Sequence, residues 1–109
     1  MDTLLVITNC PDEETANRIA LALVEEQLAA CVNLLPRVQS LYRWQGAVES
    51  ASEIPLLCKS TVDAYPALQA RIAELHPYAV PEIIALPVSH GLPAYLQWVA
   101  DETTTGGRA

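Results

Sequence analysis

The first part of the chain combines a short apolar run with an amphipathic stretch. Residues 3–10 are apolar or β-branched and end at an Asn-Cys-Pro-Asp turn, which predicts a buried strand. Asp12 is a suitable N-cap for a following helix, with Glu13 and Glu14 in its first turn. The apolar residues after it recur at helical spacing: Ala16, Ile19, Ala20 and Leu23. We therefore predict a helix over 13–28.

The middle of the chain changes to a period of two, which predicts two long strands joined by a turn. Apolar and polar residues alternate from Ala30 to Trp44, as they do in a strand with one covered face. Pro36 interrupts this strand and indicates a bulge or an edge position. Gln45-Gly46 is a turn signal, and a second alternating strand is predicted from Val48 to Lys59.

The last third predicts a helix, a strand and a closing helix. Asp63 is the expected cap of a helix that ends at His76-Pro77, because a residue that precedes proline avoids the helical region. The strand is expected from Glu82 to Val88, and Gly91-Leu92-Pro93 opens the closing helix. The second helix carries its apolar residues on one face: Tyr65, Leu68, Ile72 and Leu75.

This order of elements favours an α+β fold of the ferredoxin-like, split βαβ type with a long central hairpin and a C-terminal helix. A Rossmann-type sheet is the weaker alternative, because the strand–helix alternations are few and no Gly-x-Gly-x-x-Gly follows the first strand. We expect a single domain over 1–102 and a flexible tail over 103–109.

The length of the hairpin predicts an oligomer. Strands usually run for about 5–6 residues, and the segment from Ala30 to Trp44 is roughly twice as long. An arm that carries Leu41, Tyr42 and Trp44 beyond the domain exposes apolar surface and unpaired backbone. Pairing with sister chains in a closed ring covers both.

Composition and charge narrow the classes of function. With 51% hydrophobic and 17% charged residues, the chain is typical of a packed globular protein. A formal charge of −7 and scattered basic residues argue against nucleic-acid binding. No apolar run approaches the roughly 20 residues of a membrane-spanning helix, and no basic segment precedes the first apolar run, so we expect neither membrane insertion nor a secretory signal. Three widely spaced cysteines predict free thiols and a cytoplasmic location.

Three motifs resemble the CutA divalent-cation tolerance family. They are Leu-Ala-Ala-Cys-Val-Asn at 28–33, Ser-Leu-Tyr-Arg-Trp-Gln-Gly at 40–46, and His-Pro-Tyr-Ala-Val-Pro-Glu-Ile-Ile at 76–84. The closing Tyr-Leu-Gln-Trp at 95–98 is also similar to the family. The resemblance implies a ferredoxin-like trimer with interlocking hairpins, tolerance of copper and other divalent cations, and a fold relationship to PII signalling proteins.

The resemblance raises the possibility of a metal site, with copper or zinc as the candidate cofactor. Soft cations need thiolate and imidazole donors that converge on one point, and Cys31 and His76 are the candidates. The family's first-strand cysteine and the histidine before its His-Pro-Tyr motif correspond here to Thr8 and Leu75. Of that set, only His76 is present.

A second candidate site is polar and aromatic. By resemblance, the segments that carry Tyr42, Trp44, Lys59, Tyr78 and Glu82 approach one another at clefts between subunits. An aromatic wall with one cation and one carboxylate is a reasonable pocket for a small ligand. The alternative is that Tyr42 and Trp44 only anchor the subunit interface.

No nucleophile motif or glycine-rich phosphate loop is present, so we predict a binding protein and not an enzyme. Lys59 as base with Glu82 as acid is the remaining catalytic pairing, by analogy with isomerases of similar fold. The first hypothesis is a homotrimer for metal homeostasis that binds metal or a small ligand at its clefts. The alternatives are a PII-like module that senses an anionic small molecule through Lys59, and a trimeric scaffold.

Overall fold

The computed structural model describes residues 2–103. The predicted tail, 103–109, lies outside the described residues apart from Thr103. The elements in chain order are β1 Thr3–Cys10, α1 Glu13–Glu25, β2 Cys31–Leu34, β3 Val38–Trp44, β4 Ala47–Thr61, α2 Tyr65–Leu75, β5 Ile83–Pro87 and α3 Pro93–Asp101.

The strands form one antiparallel sheet in the order β2-β4-β1-β5, with β3 paired to β4 alone. β1 lies in the middle, so that Leu5 faces Lys59 of β4 on one side and Leu86 of β5 on the other. This is the strand order of the split βαβ arrangement, and the α+β prediction is confirmed.

The core lies between one face of the sheet and the helices α1 and α2. Residues of β4 alternate across the sheet, so that every second side chain from Ile54 to Cys58 is buried. Each large side chain buried here contributes about 1.5–3 kcal/mol relative to exposure. The fully buried apolar residues that meet in this layer include Val6, Ile19, Leu23, Leu56, Leu68 and Ile72.

Helix α1 begins as the sequence predicts but ends earlier. The Asp12 carboxylate accepts a hydrogen bond of 2.8 Å from the backbone N–H of Thr15, and this bond lowers the pKa of Asp12. The helix ends at Glu25 and not at residue 28, because Gln27 adopts a positive φ of 59°. A residue in the left-handed conformation commonly ends a helix, but that residue is usually glycine and not glutamine.

The expected cap of α2 was wrong. The helix has Ala64 as its N-cap residue, with no side-chain hydrogen bond to the first turn, and Asp63 does not serve as the cap. Instead, the hydroxyl of Thr61 accepts a hydrogen bond of 3.2 Å from the backbone N–H of Ala64. The cap was misplaced because this hydroxyl belongs to the last residue of β4.

The hairpin forms an arm, defined here as β3 with the facing residues 47–53 of β4. The predicted strand from Ala30 to Trp44 is divided around Pro36, so β2 joins the main sheet and β3 pairs only within the arm. Gln45 and Gly46 both have positive φ, 50° and 82°, which a two-residue type I′ turn requires. At the arm, Leu41 is 75% exposed in the single protomer.

Candidate functional site

A cavity of about 590 Å³ lies between the arm and the segment after α2. This volume is within the range of small-molecule sites, about 300–1,000 Å³. Four of the five predicted ligand-binding residues line it, and Lys59 does not. The residues that line the cavity are Ser40, Leu41, Tyr42, Trp44, Glu53, Tyr78, Ala79, Val80 and Glu82.

The register of the arm explains why these side chains meet. The two-residue turn pairs Trp44 with Ala47, Tyr42 with Glu49 and Val38 with Glu53. Directly paired residues of an antiparallel ladder point to the same face. Tyr42, Trp44 and Glu53 therefore share one face of the arm, and the intervening Arg43 belongs to the opposite face.

Glu53 is the most buried charged residue of the cavity, with only 8% of its surface exposed. Its Oε2 accepts a hydrogen bond of 3.1 Å from the hydroxyl of Tyr78. Burial, and then the neighbouring Glu53, raise the pKa of Tyr78 to about 12. The phenol is therefore neutral and acts as the donor. Among residues 2–103, no group donates a hydrogen bond to the other oxygen of Glu53.

His76 is locked into a hydrogen-bond network beside the cavity. One ring nitrogen, Nε2, lies 2.6 Å from the carbonyl oxygen of Asn9 and donates to it. The other, Nδ1, accepts from the backbone N–H of Tyr78 at 3.2 Å. Asn9 in turn donates through Nδ2 to Glu82 Oε1 at 2.8 Å. The pattern assigns the proton to Nε2 of a neutral imidazole, and both nitrogens are engaged.

Lys59 lies in a different part of the sheet. Its ammonium donates to Asn33 Oδ1 and lies 3.8 Å from Cys31 Sγ. Glu53 is six residues away on the same strand, a separation of about 20 Å. Among the residues that the structure describes, the cavity lining thus contains neither lysine nor arginine, and the hypothesis of an anionic ligand draws no support from it.

The chain is similar to a known protein family over nearly its whole length. Residues 4–102 match the family model of the CutA1 divalent ion tolerance protein. This chain belongs to the CutA1 family. The matched range includes the sheet except for Thr3, both arm strands and the cavity lining.

Individual CutA relatives agree with this assignment. The divalent-cation tolerance protein CutA of Thermus thermophilus is 52% identical over 103 residues, which are 94% of this chain and 99% of that protein. Protein CutA of Mus musculus is 48% identical over 94 residues, 86% of this chain, and the match spans about half of the mouse protein, 53% of its length. The solved Thermus thermophilus Cut A1 structure superposes with a TM-score of 0.92 at 50% identity, over 94% of this chain and 99% of that one.

Because the CutA1 family is one of divalent ion tolerance, the positions of the possible metal ligands in one protomer are informative. The two predicted ligands, Cys31 and His76, are not brought together. Cys31 pairs with Lys59, which pairs with Leu5 of β1, whereas His76 bonds to Asn9, four residues further along β1. Four strand residues correspond to about 13 Å, too far for two ligands of one ion.

The remaining donors do not supply a soft-metal site either. Burial raises the pKa of Cys10 to about 11 and that of Cys58 to about 12, so both thiols stay protonated at neutral pH. Within residues 2–103, no group of three His, Cys, Asp or Glu side chains is arranged to hold a metal ion. A single CutA1 protomer, over the described range, therefore does not fit a bound copper or zinc ion.

Sequence reasoning missed Glu53 as a member of this site. The usable signal was the two-residue turn at Gln45-Gly46, because such a turn fixes the register and hence the face that Glu53 shares with Trp44.

The helices within residues 2–103 lack the combination of length and apolar character that a membrane-spanning helix needs.

Proposed function

We propose that this CutA1 family member is a cytoplasmic homotrimer that takes up a small ligand or a divalent metal ion, such as copper, in clefts between subunits. It contributes to metal homeostasis by binding and not by catalysis. The observation that carries the proposal is the cavity beside the arm, whose lining includes Tyr42, Trp44, Tyr78 and Glu82 together with the buried Glu53.

The trimer is supported by the surface of the arm. Leu41 and Val48 are largely exposed in the protomer. Leu41 pairs with Ser50 and Val48 pairs with Arg43, so Leu41 and Val48 are diagonal neighbours on the same face of the arm. Proteins rarely leave such apolar surface in contact with water. Leu41 also lines the cavity, although Tyr42, Trp44 and Glu53 belong to the opposite face of the arm. Sister chains that cover Leu41 in a closed ring therefore come close to the cavity, and the binding place is built jointly.

Two further observations support the rest of the proposal. Cys10, Cys31 and Cys58 are all free thiols, which suits the reducing cytoplasm. The polar groups beside the cavity are fixed in hydrogen bonds: His76 uses both ring nitrogens, and the raised pKa of Tyr78, about 12, is far from that of a proton-transfer group at neutral pH. Such an arrangement favours recognition over acid–base chemistry.

The test is a thermal-shift and calorimetric screen of the reduced protein with Cu²⁺, Zn²⁺ and a panel of small molecules. We expect at least one compound or ion to bind saturably and to raise the melting temperature. Trp44→Ala should weaken that binding about tenfold or more, because it removes an aromatic wall of the cavity.

Trp98→Ala is the matched control, since Trp98 is 42% exposed and Trp44 is 47% exposed, but Trp98 lies on α3 and outside the cavity lining. The affinity of the Trp98→Ala variant for the ligand should stay within about twofold of that of the unmodified protein. If no ion or small molecule gives saturable heat, or if Trp98→Ala abolishes binding while Trp44→Ala does not, the proposed function is wrong.

A further inference from the structure

We infer that the cavity selects a small organic cation, an ammonium or methylated ammonium group. The inference rests on the proposed function, because it names the class of ligand for the same cleft. Three features carry it: the sign of the charges around the cavity, a carboxylate oxygen of Glu53 that accepts no hydrogen bond from the described residues, and the aromatic character of the walls.

The charged groups that face the cavity are acidic. Glu53 and Glu82 line it, and Glu49 lies directly across the ladder from Tyr42, on the same face of the arm. The nearby basic residues are directed elsewhere: Arg43 belongs to the opposite face of β3, and Arg37 donates to the Pro11 carbonyl and to Ser52. Within one protomer, the described part of the cavity therefore presents negative charge without a cation of its own.

Glu53 gives the negative charge a specific place. Only 8% of the surface of the residue is exposed, and the Tyr78 hydroxyl, a neutral donor, satisfies one carboxylate oxygen. No residue within the described range donates to the second oxygen, which is not among the fully buried polar atoms without a partner and therefore keeps access to the cavity. A cationic guest that carries N–H or polarised C–H groups is attracted to this oxygen, whereas an anionic guest is repelled by it.

The aromatic walls narrow the class of cation. Tyr42, Trp44 and Tyr78 are only half-exposed and line the cavity together. Aromatic faces attract alkylammonium groups through their quadrupoles, with tryptophan the strongest. A bare divalent ion instead needs several oxygen or nitrogen donors at about 2.0–2.6 Å, and a cavity of about 590 Å³ is far larger than such a shell. An organic cation uses both the carboxylates and the rings.

The test compares choline and ethanolammonium with 3,3-dimethyl-1-butanol, the neutral carbon isostere of choline. Trp98→Phe serves as the parent protein, because it leaves Trp44 as the remaining one of the two tryptophans. Titration should quench or shift Trp44 fluorescence saturably with at least one of the two cations. The neutral alcohol should bind about tenfold more weakly, or worse, since it has the shape of choline without its charge.

Two carboxylate variants separate the cavity from general electrostatics. Glu53→Gln should weaken binding of the cation about tenfold or more, because it removes the buried charge. Glu14→Gln removes the same charge from the exposed first turn of α1 and should change the affinity by less than about twofold. Should Glu53→Gln fold poorly, Trp44→Leu measured by calorimetry gives a second reading, with the same tenfold loss expected.

Two outcomes overturn the inference and leave the proposed function standing. In one, the neutral alcohol binds at Trp44 as tightly as either cation. In the other, a folded Glu53→Gln variant keeps the full affinity for choline. If neither cation quenches Trp44 while Cu²⁺ or Zn²⁺ binds saturably, the inference also fails and the metal part of the proposed function survives. Failure of every compound and every ion overturns both.

Discussion

Leu41→Asp is expected to disrupt the assembly while the protomer's own core stays intact. Leu41 is 75% exposed in the single chain, so aspartate there removes no contact of the core described above. In the proposed trimer the same position is buried against a sister chain, where a charge without a partner is strongly unfavourable. We expect the protomer concentration at which the trimer dissociates to rise at least about a hundredfold, measured by analytical ultracentrifugation.

Leu21→Asp is the matched control for this experiment. Leu21 is also a largely exposed leucine, 59% in the protomer, but it lies on α1 and away from the arm. The protomer concentration at which the Leu21→Asp trimer dissociates should stay close to that of the unmodified protein. If Leu41→Asp sediments like the unmodified protein at every concentration, the arm is not the surface that holds the subunits together.

The largest effect on stability is expected for Leu23→Ala. Leu23 is fully buried in the layer between α1 and the sheet, and truncation leaves a cavity that the surrounding side chains fill only in part. The free energy of unfolding should fall by about 2–5 kcal/mol. Guanidinium denaturation at one fixed protomer concentration measures it, because the stability of an oligomer depends on concentration.

Leu21→Ala makes the same chemical change two residues earlier on the same helix. Because Leu21 is exposed, its loss should change the free energy of unfolding by no more than about 0.5 kcal/mol. Equal losses for the two variants would contradict the assignment of the buried face of α1.

The sequence predicted elements well where a single periodicity governs a segment. The helical spacing of Ala16, Ile19, Ala20 and Leu23 reappears as the buried stripe of α1, and the alternation in β4 reappears as its burial pattern. Element ends were harder to predict. The positive φ of Gln27 and the hydroxyl of Thr61, which bonds to Ala64, are set by tertiary surroundings. Glutamine is not a strong stop signal, and threonine is a favoured cap but competes here with Asp63, which is closer to the helix.

The candidate site was only partly predictable, because its contacts join residues that are distant in sequence. The hydrogen bond between Tyr78 and Glu53 spans 25 residues, and that between His76 and Asn9 spans 67. Motif resemblance selected Tyr78 and His76 but not their partners. It also grouped Lys59 with the aromatic residues, although the register of β4 keeps that cation near Asn33.

The jointly built cleft is tested most directly by sedimentation velocity of the unmodified protein over a dilution series down to low nanomolar concentration, with circular dichroism as the check on folding. We predict a stable species of about 35 kDa, three times the 11.8 kDa chain, as expected for a closed ring of three. A fully folded species of 11.8 kDa that persists across the series would contradict the proposal that sister chains cover the arm and complete the cavity.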